Sequence, residues 1–230
     1  MVRFVTQLGY ARYSEFQGAL RHYMDSELTI VDRMDLTTAQ SPDSDRFRQV
    51  IHEEIDNIKA ILGSIDMAAV ESAVEAMRVG DPILVIGARL SYSMSYYLGW
   101  ALTKIKPNIR ILRGSDRTSV DWLTMAPEGS LAIIVAMTRY PNELIRLGKH
   151  ARRLNHKVLL IADSQTCPLI QFADHALVTP PRRIPVLGSP THLSCLINYL
   201  VHEVARRLGD RVKAHQERLE KAYLENDILF

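Results

Sequence analysis

The chain predicts an α/β protein built on an open parallel sheet of five strands flanked by helices, with a short helical segment at its N-terminal side. Three observations predict it. Five short runs, ILVIG (Ile83–Gly87), IRIL (Ile109–Leu112), LAIIVA (Leu131–Ala136), KVLLIA (Lys157–Ala162) and HALVT (His175–Thr179), are apolar almost throughout rather than alternating, as strands covered on both faces are. The stretches between them have helical length, and alternating strands and helices wind into a parallel sheet through right-handed crossovers. The 230 residues, 47% hydrophobic and 23% charged, suffice for one sizeable core.

In chain order, the first break is DLTTAQSPDSD, residues 35–45, a Thr/Ser/Asp/Pro stretch without apolar periodicity that reads as a linker. It sets residues 1–34 apart. Phe47, Val50, Ile51, Ile55, Ile58 and Ile61 then recur at three- and four-residue steps, the stripe of an amphipathic helix. A second helix spans Asp66–Val79, with Asp66 as N-cap and Gly80 as its stop. Within the sheet region, helices fit near residues 92–105, 142–154 and, shorter, 166–172. The last main helix starts near Pro190 and carries Leu193, Leu196, Ile197, Leu200, Val201, Val204 and Leu208 on one broad face, suited to packing on the sheet or on a second copy. Residues 46–215 form the main domain. The tail, residues 216–230, continues helical and highly charged, as a solvated or dimer-flanking helix.

Composition limits the function classes. Twenty-eight Lys and Arg against 26 Asp and Glu leave a net charge of +2, too little for a body that binds nucleic acid over its whole surface. Two cysteines on different segments, Cys167 and Cys195, and an N-terminus without an apolar signal core point to a reducing, cytoplasmic setting. No apolar run approaches the roughly 18 residues of a membrane span, so no membrane partner is expected. The eight histidines are scattered, so no metal site is expected. The Gly-x-x-x-Ser at the first strand exit lacks the further glycines of a dinucleotide fingerprint, and no cofactor is expected.

In an open parallel sheet the ligand crevice lies beyond the carboxyl ends of the strands, where strand order reverses. After the first strand comes GARLSYS, in which Gly87 permits a tight turn, Arg89 brings a cation, and Ser91 and Ser93 enter the first turn of the next helix. After the third comes AMTRYPNE, with Thr138, Arg139 and Pro141. Hydroxyl plus guanidinium beside a helix start suits a phosphate or similar anion. Ser164, at the fourth strand exit, and Ser189 and Thr191, before the last helix, are further candidate hydroxyl contacts. Serine and threonine before helices also serve as N-caps with no ligand at all, and the alternative for the arginines is that each pairs with an acidic neighbour such as Asp116 or Glu143.

From about Phe47 to Gly209 the chain resembles a SIS (sugar isomerase) domain, in particular the effector-binding half of RpiR/MurR-type transcriptional regulators. The resemblance is carried by GARLSYSMSYYLGWAL, like the family's Gly-x-Gly-x-Ser strand exit and helix; by VAMTRYPNELIRLGKHARRLNHKVLLIADS, like its Ser-x-Ser-Gly-x-Thr loop, crossover helix and strand; by DSQTCPLIQFADHALV; and by GSPTHLSCLINYLVHEVARRL. It implies a five-stranded, flavodoxin-like sheet that binds phosphorylated sugars and self-associates as a dimer or tetramer. VRFVTQLGYARYSEFQGALRHYM resembles the end of these regulators' helix-turn-helix, without its upstream helices. Operator DNA is therefore a partner only where a complete helix-turn-helix is present, and the chain reads as a truncated regulator or one that has lost its DNA function.

The departures are specific. Arg89 stands where the second glycine of Gly-x-Gly-x-Ser would fall, while Ser91 keeps the serine. Ala136 replaces the first serine of the second loop, Thr138 keeps a hydroxyl, Arg139 stands at the glycine and Pro141 at the threonine. Two small residues have become large cations on what the resemblance makes neighbouring strands. The ligand expected is an anionic sugar phosphate with strong or distributed charge, sensed rather than turned over. The alternative is a sugar-phosphate aldose-ketose isomerase, for which His192 and Glu54 are the candidate bases.

Overall fold

The computed structural model describes residues 2–10, 12, 13, 16, 31, 32, 43–114, 116–181 and 189–228. The chain divides into two compact units, Met1–Gly63 with Pro180–Ser189, and Ser64–Thr179 with Pro190–Phe230.

In the first unit, α1 spans Val2–Gln7 and α2 spans Asp43–Ser64. Most of the helix-turn-helix remnant expected over residues 1–34 lies outside the described residues. Helix α2 begins inside the stretch read as a linker, taking in Asp43–Asp45. Much of its apolar stripe is uncovered: Phe47 is 75% exposed and Val50, Ile51 and Ile55 are exposed with it. Periodicity says which residues share a helix face, not that this chain covers that face.

The second unit holds α3 (Met67–Val79), β1 (Ile83–Gly87), α4 (Leu90–Thr103), β2 (Ile109–Arg113), α5 (Thr118–Met125), β3 (Leu131–Ala136), α6 (Asn142–Arg153), β4 (Lys157–Ala162), β5 (His175–Val178), α7 (Thr191–Leu208) and α8 (Asp210–Glu225). The five strands are all parallel, in the order β2-β1-β3-β4-β5, so the open α/β sheet is as the apolar runs predict. Both faces of the central strands are buried, and this is why those runs do not alternate. On one face Val85, Ile133, Val135 and Ile161 pack with Met77, Leu98, Leu196, Ile197 and Leu200 from α3, α4 and α7. On the other, Ile86, Ile134 and Leu160 pack with Leu123, Leu144 and Leu147 from α5 and α6.

Helix α3 has the ends expected of it: the Asp66 carboxylate accepts from Ala68 N at 2.8 Å, and Gly80 N closes on Ala76 O. Its C-terminal carbonyls are further satisfied by the buried Lys106, whose Nζ donates to Met77 O and Arg78 O at 3.1 and 3.3 Å and also to Gly80 O. Burial pushes that amine below its ordinary value.

Three elements depart from the reading. Helix α5, not expected from the sequence, is only eight residues long and buries Ser119 and Leu123 while leaving Val120, Trp122 and Met125 exposed. The helix expected over 166–172 is a short 3-10 turn at Ile170–Phe172, with i to i+3 bonds from Ile170 N to Cys167 O and from Phe172 N to Leu169 O. The charged tail is a separate helix, broken from α7 at Gly209 (φ 57°). It folds back on the end of α4: His215 Nε2 lies 2.9 Å from Thr103 O, Gln216 donates to Lys104 O, and the Lys104 ammonium sits between the Trp100 and Tyr223 rings. No helix among the described residues is long and apolar enough to cross a membrane.

Candidate functional site

Strand order reverses between β1 and β3, whose partners run from Ile83 with Leu131 to Ile86 with Ile134, so the two loops that follow them open side by side at the carboxyl edge. Helices α4 and α6 begin from these loops, each presenting free N–H groups and the positive end of its dipole.

Gly87 ends β1, buried. Its φ is not positive among the backbone exceptions, so close packing rather than a tight turn explains it: a Cβ there would sit 2.6 Å from Ser91 O and would also collide with the Ser95 hydroxyl. The positive φ falls two residues later. Arg89 has φ 53° and ψ −127°, and Arg139 has φ 70°. These are the two positions at which the motif carries glycine, and the backbone keeps a glycine-favouring conformation with arginine in place. Both side chains are exposed. Among the described residues neither makes an ion pair or side-chain hydrogen bond. Asp116 is occupied elsewhere, accepting from Thr118 N at 3.0 Å, and this bond holds its carboxyl below the usual range.

The hydroxyls are less free. Ser91 is 3% exposed and accepts from Met137 N at 3.0 Å, tying the start of α4 to the exit of β3. Ser93 is exposed and donates to Leu90 O at 2.7 Å. Thr138 donates through both its backbone N, at 2.6 Å, and its hydroxyl to Asp163 Oδ2, so its one hydroxyl proton is committed. Ser164 is 3% exposed; its hydroxyl pairs with Thr166 Oγ1 at 2.8 Å and accepts from Thr166 N at 3.1 Å. Ser189 belongs to the first unit, and Thr191 opens α7 in the second, from a different loop than the two arginines. His192 is buried on α7, and Glu54 lies on α2 in the first unit.

Sequence reasoning misses three residues at this edge. Asp163, directly after β4 and 3% exposed, accepts from Tyr140 Oη at 2.8 Å as well as from Thr138. Burial, then the Asp163 charge, pushes the Tyr140 phenol far above its ordinary value, so it stays a hydrogen-bond donor. Arg113 ends β2 directly beside Gly87, its guanidinium 4.9 Å from the centre of the Tyr92 ring in the first turn of α4. A cation at a third strand exit, in ILRGSD, is the signal that could have found it. Cys167 is buried and its thiol is pushed up to about 11, chiefly by desolvation, so it stays protonated at neutral pH and packs as a small apolar group. Among the described residues no group of three or more His, Cys, Asp and Glu could hold a metal ion.

This edge can thus offer three guanidinium groups around two helix starts, with the buried Asp163 carboxylate already engaged by three donors. Comparison with known proteins agrees with the fold. An RpiR transcription factor from Sphaerobacter thermophilus (sugar isomerase domain) is 26% identical with a TM-score of 0.73, covering 77% of this chain and 99% of that one. Two structures are similar in fold alone: the Vibrio vulnificus NanR protein complexed with ManNAc-6P, 18% identical, TM-score 0.64, covering 97% of this chain and 80% of that one; and a phosphoheptose isomerase from Francisella tularensis, 12% identical, TM-score 0.58, covering 72% and 100%. No curated protein sequence matches the chain. The sequence pattern of the SIS domain matches residues 77–201, more than half of the 230 and the whole of the strand-and-helix arrangement from β1 to β5, so the chain belongs to the SIS domain family.

Proposed function

We infer that the chain is the effector-binding domain of an RpiR-type transcriptional regulator and holds an anionic sugar phosphate, or a related carbohydrate derivative, over the carboxyl ends of β1 and β3. The observation that carries this is the pair Arg89 and Arg139. Both occupy a backbone conformation that L-residues avoid, on the loops that follow two adjacent strands, and neither charge is met by a carboxylate among the described residues. Two uncompensated guanidinium groups on neighbouring loops favour a ligand with strong or distributed negative charge, such as a phosphate with a second acidic group. The likeness to an RpiR transcription factor over 99% of its length supports the regulatory setting, and the ManNAc-6P of NanR supports the ligand class.

Sensing requires only different affinities for two conformations, and the burial of His192 favours binding over turnover. Self-association through this domain, and operator contact where a complete helix-turn-helix is present, belong to the same reading. Calorimetric titration of phosphorylated and carboxylated sugars tests it. Wild type is expected to bind at least one of them, with affinity lower by roughly tenfold or more in the Arg89→Ala/Arg139→Ala double variant; equal affinities in the two proteins refute the reading.

A further inference from the structure

We propose that Asp163 is the positioning residue of this site: from the end of β4 its carboxylate clamps both chain neighbours of Arg139 and so sets the direction in which the guanidinium leaves the loop toward a bound anion. The inference rests on the anion-binding reading above.

Three donors converge on this one carboxylate. Oδ2 accepts from Thr138 N at 2.6 Å and from the Thr138 hydroxyl, and Oδ1 accepts from Tyr140 Oη at 2.8 Å. Thr138 and Tyr140 are the residues immediately before and after Arg139. Arg139 itself sits at φ 70°, a conformation that persists in an L-residue only where surrounding contacts hold it. The clamp supplies those contacts from a neighbouring strand, since β3 and β4 pair up to Ala136 with Ala162, one residue before Asp163. The carboxylate is 3% exposed and, when ionised, only accepts hydrogen bonds, so it has nothing to donate to a phosphate. Its contribution to ligand binding therefore acts through Arg139. The clamp also explains why the Thr138 hydroxyl, read from sequence as a ligand contact, is turned inward.

The test is a double-mutant cycle on the full chain, read by calorimetry with ManNAc-6P and, separately, inorganic phosphate as probes, alongside thermal unfolding of each variant. Asp163→Asn keeps the side chain's size but turns an amide N–H toward groups that themselves donate. It is expected to weaken binding by roughly tenfold in the wild-type background and to have no further effect in an Arg139→Ala background, because coupled residues are not additive. Tyr140→Phe, which leaves both Thr138 bonds in place, is expected to give a smaller loss that likewise disappears without Arg139, and it carries the cycle if Asp163→Asn does not fold. An equal loss in both backgrounds marks Asp163 as a general structural tie and overturns the proposal, as does unchanged binding in Asp163→Asn. If wild type binds neither probe, or Arg139→Ala binds as wild type does, the anion-binding reading fails first and this inference with it.

Discussion

An arginine held at positive φ is less stable there than glycine would be, and Arg89 and Arg139 both accept that disadvantage on loops facing the same edge of the sheet. Strain of this kind costs about 1–3 kcal/mol per residue, whereas glycine costs only about 0.5–1 kcal/mol through its greater freedom in the unfolded chain. The difference fixes the sign. Arg89→Gly and Arg139→Gly are each expected to stabilise the fold by about 1 kcal/mol, raising the unfolding temperature by roughly 2–4 °C for a chain of this size, while weakening anion binding. A lower unfolding temperature in both variants counts against the strain argument. The cations themselves are plain in the sequence, as are Ser91 and Thr138. That the two hydroxyls tie loops together is not, because Ser91 meets Met137 across 46 positions and Thr138 meets Asp163 across 25, pairings that exist only once β1, β3 and β4 lie side by side.

Helices α3 and α7 are joined by a chain of charges that sequence periodicity does not reveal. Arg207 grips Glu71 with both terminal nitrogens and reaches Glu203 Oε1 through Nε at 3.0 Å, while Arg206 closes on the same Glu203 at 2.7 and 3.0 Å. Hydrogen bonds from Arg206 and then Arg207 hold the Glu203 carboxyl down to about 2. Its folded value lies below its unfolded value near 4.5, so its stabilising contribution is fully present above about pH 4.5 and is lost as pH falls toward 2. Glu203→Gln is therefore expected to unfold at a lower temperature than wild type at neutral pH, with the gap closing between about pH 4.5 and pH 2. A gap that does not change with pH removes ionisation from the explanation. The elements themselves are unequally legible. The strands announce themselves because burial on both faces leaves uninterrupted apolar runs, and α7 because its buried face is broad. Helix α5 does not, because its eight residues are too few to show a period and its apolar Val120, Trp122 and Met125 are exposed while only Ser119 and Leu123 are buried. The stripe of α2 is legible as a helix, but the exposure of Phe47, Val50, Ile51 and Ile55 is not.

At the scale of the molecule, the order β2-β1-β3-β4-β5 places the reversal point between the two arginine loops, and the proposed reading makes this edge a place of binding without turnover. Incubation with phosphosugars is expected to raise the unfolding temperature, by mass action worth about 2.7 kcal/mol at a ligand concentration a hundred times Kd, with no aldose-ketose interconversion by NMR. Interconversion would move the chain to the isomerase reading. The sequence by itself determined the α/β class, the five strands and their exits, and an arginine at two of those exits, because burial periodicity and residue identity are local properties of the chain. Only the tertiary structure decided that both arginines sit at positive φ without a carboxylate partner among the described residues, that Arg113 joins them, and that Asp163 engages Thr138 and Tyr140. Those facts depend on which strands become neighbours and in what register, and such long-range pairings leave no local trace in a single sequence.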